Sequence, residues 1–136
     1  MTNKIRVSCD RKNLKVIRAF VTETLSPVEL SDILLNQIIL AVDEICANLI
    51  IHSNKEDSNK FLTLAICYDE REIIFELSDN GTAFEQANYR EPNIHDNIRL
   101  RKKGGVGVAL VNRIMDKVEY STKGATNICR LHKYIS

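Results

Sequence analysis

The sequence has no excess of charge of either sign. Its 19 lysines and arginines nearly cancel 18 aspartates and glutamates, which leaves a formal charge of +1. A balanced charge indicates neither an acidic nor a basic polymer, such as a nucleic acid, as a partner. The hydrophobic fraction of 44% excludes intrinsic disorder, and the length of 136 residues predicts a single domain spanning residues 1–136.

The sequence also has no uninterrupted apolar run long enough to cross a bilayer. The longest apolar stretch covers residues 33–51, and five polar residues interrupt it: Asn36, Gln37, Asp43, Glu44 and Asn48. The amino end contains no apolar core of the kind found in secretory signal peptides. We therefore expect a cytoplasmic protein that does not contact the membrane.

The four cysteines form no C-x-x-C pair. They stand far apart and among apolar neighbours, as small hydrophobic residues do: Cys9, Cys46, Cys67 and Cys129. This spacing predicts neither a structural zinc site nor a disulfide framework. The sequence also contains no internal repeat and no low-complexity segment.

Apolar residues at helical spacing mark three segments of the chain. A first helix is expected to start at a cap formed by Asp10 and to end at Pro27, and a longer helix is expected over residues 30–52. A third helix is predicted from four apolar residues: Val108, Val111, Met115 and Val118.

Alternating apolar and polar residues mark the strands. They predict a short opening strand over residues 5–7, a hairpin over residues 62–77 and a final hairpin that turns at Lys123 and Gly124. Residues 85–104 form a polar stretch with little periodicity, which is typical of a functional lid or a disordered loop. This order predicts an α+β fold: a two-layer sandwich with a mixed, mostly antiparallel sheet and helices on one face. A Rossmann fold does not fit it.

Polar residues interrupt the apolar surface of the long predicted helix. Gln37, Glu44, Asn48 and His52 fall within one stripe when residues are placed at 100° intervals. One interpretation is a solvated helix edge. The other is functional, because a glutamate and an asparagine at positions i and i+4 lie side by side. The amide oxygen can then ligate a hard cation while the carboxylate orients water or takes a proton.

Asp79 interrupts the second predicted strand in a similar way. Counting in steps of two from Ile73, Phe75 and Leu77 directs Asp79 toward the core face, where a carboxylate needs hydrogen-bond donors. The following Asn80 and Gly81 also fit an ordinary turn. A ligand with an exocyclic amino group, such as adenine, would supply a donor, and the glycine would let it approach the backbone.

Three glycines lead directly into the third predicted helix: Gly104, Gly105 and Gly107. Exposed amides at such a helix start bind phosphate, although a flexible hinge has the same composition. The segment fits neither a P-loop nor a dinucleotide-binding fingerprint. Basic residues precede it and would add positive charge near a phosphate: Arg99, Arg101, Lys102 and Lys103.

Four segments, taken in order, resemble the Bergerat nucleotide site of the histidine-kinase-like (GHKL) ATPases. Residues 39–53 resemble the N-box, residues 78–84 the D-x-G box, residues 104–110 the second glycine box and residues 124–131 the closing strand. Within that superfamily, a free-standing domain of this length is most similar to the anti-sigma-factor serine kinases of the RsbW and SpoIIAB type.

The resemblance implies ATP and Mg²⁺ as cofactors and assigns roles to individual residues. Asn48 would bind the Mg²⁺ that bridges the phosphates, and Glu44 would be the general base. Asp79 would accept a hydrogen bond from the adenine amino group, and Gly81 would make room for the base. Thr126 would support Asp79 or a water beside adenine.

The resemblance also assigns the residues that face the phosphates. The backbone of Gly105, Val106 and Gly107 would bind the phosphate oxygens. Lys103, or alternatively Arg101, would reach the γ-phosphate from a lid formed by residues 85–104.

The implied activity is that of an ATP-dependent protein serine kinase that acts as an anti-sigma factor. Such a kinase phosphorylates an antagonist protein on serine and sequesters a sigma factor, and a homodimer fits this family. Two other functions fit the residues: a catalytically inactive, nucleotide-dependent binding switch and an interaction domain without a nucleotide.

Overall fold

A computed structural model describes residues 2–80 and 105–135, with only the backbone described for residues 105–108. The helices are α1 (Leu14–Thr24), α2 (Asp32–Asn48) and α3 (Gly105–Ile114). The strands are β1 (Thr2–Ser8), β2 (Phe61–Tyr68), β3 (Glu72–Asp79), β4 (Lys117–Lys123) and β5 (Thr126–Tyr134).

The five strands form one sheet in the order β1-β2-β3-β5-β4. Each of the four described pairings is antiparallel. The final hairpin turns at Gly124, whose φ of +65° is in the left-handed region that glycine adopts without strain. The predicted α+β class, the two hairpins and the placement of helices on one sheet face are confirmed.

The core lies between one face of the sheet and the helices. Alternate strand residues are buried, as expected for a sheet with one covered face: Leu62, Leu64, Ile66, Ile73, Phe75, Leu77, Cys129 and Leu131. Helix side chains at helical spacing meet them: Ile17, Val21, Ile38, Val42, Ile45 and Leu49.

Polar side chains fix the starts of the first two helical segments. Asp10 accepts a hydrogen bond from the backbone of Lys12 in a short 3₁₀ turn (Arg11–Asn13) that leads into α1. The hydroxyl of Ser31 accepts from the backbone nitrogen of Leu34 at 3.1 Å and so caps α2. Helix α2 carries Glu44 and Asn48, two of the predicted site residues.

The 22-residue segment Asp32–Ser53 is long and apolar enough to cross a membrane by length and composition alone, with a mean hydropathy of 1.7 in an 18-residue window. Core helices pass the same test. Here one side of the helix packs into the core through Ile38, Val42 and Ile45. The burial explains the high hydropathy.

One predicted boundary is wrong. Val118 was expected in the third helix, but α3 ends at Ile114 and Val118 lies in β4, paired with Leu131. The apolar spacing continues across this junction because the last turn of α3 and the start of β4 both direct side chains into the same core.

The opposite face of the sheet carries paired charges. Nδ1 of His132 lies 3.3 Å from Oε1 of Glu72, and Nε2 lies 2.8 Å from Oε1 of Glu119. This ring therefore links β3 to β4 across β5. Arg130 and Glu76 form a neighbouring pair at 3.4 Å.

The contact with His132 makes stability depend on pH. The hydrogen bond from His132 is the main reason that the pKa of Glu119 lies below the ordinary value of 4.5. The contribution to stability is therefore present above pH 4.5 and is lost as the pH falls through the lowered pKa of the folded state. We expect the difference in free energy of unfolding between wild type and Glu119→Gln to shrink across this range in urea titrations.

Glu70→Gln, at an exposed glutamate in the turn between β2 and β3, is the control and is expected to leave the pH profile unchanged. A difference between wild type and Glu119→Gln that stays constant down to strongly acidic pH would contradict this explanation.

Candidate functional site

Two of the predicted site residues lie on the same side of α2. Glu44 precedes Asn48 by one turn, and Asn48 is the last residue of the helix. Glu44 is half-buried, whereas Asn48 is buried with 7% exposure. Gln37 and His52, which share the predicted stripe, are exposed. The stripe is thus exposed at both ends, and Glu44 and Asn48 are its less exposed middle part.

The helix changes its pitch directly after Asn48. Residues Leu49–Ser53 form a π-helical turn. Asn54 closes this turn because its backbone nitrogen and its side-chain Nδ2 both donate to the carbonyl oxygen of Leu49, at 2.9 and 2.7 Å. Single π turns are frequent at functional sites. The predicted helix over residues 30–52 ends before Asn54, so the sequence analysis missed this buried closure.

Asp79 lies at the end of β3 on the core face, as its position in the alternating pattern predicts. Its side chain is only 3% exposed. The strand register places Leu62 of β2 on one side and Asn127 of β5 on the other. Nδ2 of Asn127 donates a hydrogen bond of 3.0 Å to Oδ1 of Asp79. Both partners are buried, so the pair occupies the end of an otherwise apolar sheet face.

The structure pairs the side chain of Thr126 with Asn80, and support of a water beside adenine stays a prediction. The hydroxyl of Thr126 donates to Oδ1 of Asn80 at 3.0 Å, and Asn127 takes the place beside Asp79. The physical reason is the two-residue period of β5, which puts Thr126 and Asn127 on opposite faces. Counting back from the buried Leu131 and Cys129 would have identified Asn127 from the sequence.

Two buried thiols share the environment of Asp79. Burial, followed by the charge of Asp79, raises the pKa of the Cys129 thiol to about 12. The same two causes are the largest for Cys9, whose pKa is raised to about 11. Both thiols are therefore uncharged at neutral pH. This end of the sheet combines one carboxylate with apolar, weakly polar neighbours, which suits recognition of a flat organic ring.

Helix α3 is the third part of the candidate site, after α2 and the end of β3. It begins at Gly105, so Gly105 and Gly107 lie in its first turn, and the helix packs against α2. First-turn amides have no partner within their own helix and are suited to an anion. The side chain of Val106 lies outside the described part of the chain. Gly81, Arg101, Lys103 and the expected lid over residues 85–104 lie outside it as well.

The available oxygen atoms determine what kind of metal fits. Glu44 and Asn48 offer a carboxylate and an amide oxygen, which are hard ligands of the type that Mg²⁺ takes. Among residues 2–80 and 105–135, no group of three or more histidine, cysteine, aspartate or glutamate side chains is arranged to hold a metal. The amide oxygen of Asn48 fits an Mg²⁺ whose remaining ligands come from phosphates and water, with the Glu44 carboxylate one turn away.

Comparison with known proteins agrees with this arrangement. Residues 7–133 match the family of histidine kinase-like ATPase domains. The chain belongs to this family. The serine-protein kinase RsbW of Halalkalibacterium halodurans is 34% identical over 84 residues, covering 59% of this chain and 51% of the relative. RsbW of Bacillus cereus strain Q1 is 29% identical over 84 residues, covering 59% and 52%. The chain thus spans about half the length of these relatives.

A solved structure shares the fold of this family member. It contains the RsbU and RsbW domains of Rv1364c from Mycobacterium tuberculosis. The TM-score is 0.69 at 13% identity, and the match covers 98% of this chain and 32% of the other. At this identity the likeness shows the fold alone.

The thiol environments predict a labelling pattern. Cys67 is half-buried on the sheet face that carries the charged pairs, whereas Cys9, Cys46 and Cys129 are buried, and burial raises the pKa of each of these three thiols. We expect an aromatic disulfide reagent to label Cys67 first in the native protein. All four should react once the protein is unfolded in urea.

Cys67→Ser is the matched control and is expected to remove the fast phase of labelling. Rapid labelling of two or more thiols in the native wild-type protein would contradict the assigned environments.

Proposed function

We propose that this domain binds ATP with Mg²⁺ and transfers the γ-phosphoryl group to a serine of a partner protein. The observation that carries the proposal is the placement of three polar side chains in a member of an ATPase family. Glu44 and Asn48 share one side of α2, and Asp79 is buried at the end of β3. A domain that only contacted other proteins would have no need to bury a carboxylate there.

The two ends of the nucleotide would meet different chemistry. Asp79 would accept a hydrogen bond from the exocyclic amino group of adenine, since its carboxylate is an acceptor in a largely apolar setting. The amides of the first turn of α3, at Gly105 and Gly107, would bind phosphate oxygens. This arrangement gives ATP a defined direction, with the base at the sheet and the phosphates at the helix.

Asn48 would contribute its amide oxygen to Mg²⁺ held against the phosphates. When bound, Mg²⁺ would neutralise phosphate charge and orient the transferred group. Lys103, or alternatively Arg101, would add positive charge at the γ-phosphate, and Gly81 would leave space for the base.

Glu44 would act as the general base. The half-buried carboxylate would take the proton of the acceptor serine hydroxyl while the serine oxygen bonds to the γ-phosphorus and the bond to the ADP oxygen breaks. Glu44 lies one turn from Asn48. The base would therefore stay beside the Mg²⁺ site, and Glu44 would not be a primary ligand of the metal.

The relatives suggest the class of partner. They are named serine-protein kinase RsbW. By analogy, the acceptor would be a serine on an antagonist protein, and a second partner would be a sigma factor that the domain sequesters. A homodimer remains a prediction from the same resemblance, and so does a cytoplasmic location.

Substitution on α2 separates binding from phosphoryl transfer. Glu44→Gln keeps the size and polarity of the side chain but loses the base, so we expect ATP affinity to stay within about threefold while transfer falls about 100- to 10,000-fold. Asn48→Ala is expected to abolish Mg²⁺-dependent ATP binding. Calorimetry with Mg·ATP and transfer of label from γ-labelled ATP to candidate antagonist proteins measure the two effects.

Gln37→Ala, two turns earlier on the same side of α2 and exposed, is the matched control and should resemble wild type. Wild-type rates in Glu44→Gln would overturn the assignment of the base. Tight ATP binding with no transfer by the wild-type protein would favour a nucleotide-dependent binding switch, and the absence of saturable ATP binding would contradict the whole proposal.

A further inference from the structure

Asn127 contacts Asp79 but has no assigned role in the proposed nucleotide site. Its Nδ2 donates to Oδ1 of Asp79 at 3.0 Å, and the donor residue is 5% exposed. We propose that Asn127 is a positioning residue for base recognition, which holds the Asp79 carboxylate in the orientation that accepts the exocyclic amino group of adenine. This inference rests on the proposed nucleotide site.

The hydrogen bond from Asn127 restricts rotation of the Asp79 carboxylate. The torsion that turns an aspartate carboxylate about its last bond has broad minima, unlike an ordinary staggered torsion. A donor on one oxygen fixes the plane of the group and therefore the direction of the other oxygen. The contact joins a neutral donor to a carboxylate, so it is charge-assisted and stronger than a bond between neutral groups.

The donor itself is held firmly. Asn127 lies in β5 with Asp79 opposite on β3 and Thr122 opposite on β4, so ladder hydrogen bonds flank it on both sides. Its neighbours on the same face of the sheet include Leu62 across β3 and Cys129 along β5. In such weakly polar surroundings the electrostatic part of a hydrogen bond is stronger than in water.

The chemical identity of the donor also matters. A lysine or arginine at this position would place a positive charge on Asp79 and compete with the ligand for its oxygens. The amide of Asn127 is neutral, so it orients the carboxylate and leaves the negative charge available for a donor on the base. The result is a selective acceptor rather than a salt bridge.

An oriented acceptor discriminates between bases. Adenine presents an amino group where guanine presents a carbonyl oxygen, which a fixed carboxylate would repel. Purine riboside triphosphate lacks the amino group and differs from ATP in that respect alone. The ratio of the two dissociation constants therefore reports the contact between Asp79 and the base, whereas a general loosening of the fold would weaken both ligands together.

Two variants of Asn127 with side chains of equal shape separate loss of the hydrogen-bond donor from a change in packing. Asn127→Val removes the donor, and Asn127→Thr keeps a hydroxyl donor on a side chain of the same shape, with both residue types favoured in strands. We expect Asn127→Val to bind ATP about tenfold more weakly, as loss of one hydrogen bond to a charged group implies, with purine riboside triphosphate changed by less than about twofold. Asn127→Thr should recover part of the preference for ATP.

Thr63→Val is the matched control, because it removes a hydroxyl in β2 on the opposite face of the sheet, between the buried Leu62 and Leu64. It is expected to keep the wild-type ratio of the two dissociation constants. Chemical unfolding of each variant, measured alongside, compares its free energy of unfolding with that of wild type.

The outcomes separate this inference from the proposal on which it depends. If wild type prefers ATP and Asn127→Val keeps the same ratio of dissociation constants, the positioning role is overturned while the nucleotide site stands. Equal weakening of both ligands in Asn127→Val, or identical behaviour of the valine and threonine variants, would likewise overturn it. If wild type binds neither ligand, the proposed function itself fails.

Discussion

A carboxylate buried at the end of a sheet must be given a donor, and much of this structure depends on that requirement at Asp79. The donor comes from Asn127, which requires β5 to lie beside β3 in a register that pairs these two residues. Since β4 follows on the far side of β5, the closing hairpin also holds Asn127 in place. A shift of that register by one residue would turn Thr126 toward Asp79 and move Cys129 and Leu131 out of the core.

The two faces of the sheet carry different kinds of residues. The face toward the helices combines an apolar core with polar residues at one end, and α2 brings Glu44 and Asn48 to the helical layer above it. The other face carries exposed ion pairs and the His132 bridge between β3 and β4. Because the proposed nucleotide site and the ion pairs lie on opposite faces of the sheet, a change in one set of residues need not disturb the other.

Much of the fold follows from periodicity, and one part of the site does not. The alternating pattern placed Asp79 on the core face, and the helical spacing located α1 and α2. Val118 was misassigned because a helix end and a strand start share one core, and Asn127 was missed although the alternation in β5 places it on the core face. The π turn after Asn48 leaves no mark in the sequence, since the apolar run continues into it as far as Ile51 and its closure depends on a buried amide 5 residues beyond Leu49.

The central claim is that α2, the end of β3 and the start of α3 form one nucleotide site. Titration of ¹⁵N-labelled protein with Mg·ATP, followed by amide chemical shifts, tests it most directly. The account predicts saturable shifts, all with one dissociation constant, at Asn48, Asn80, Asn127 and the first turn of α3, while Glu76 and Arg130 on the opposite face stay unchanged. Shifts confined to that opposite face, or no saturable shift at these residues, would contradict it.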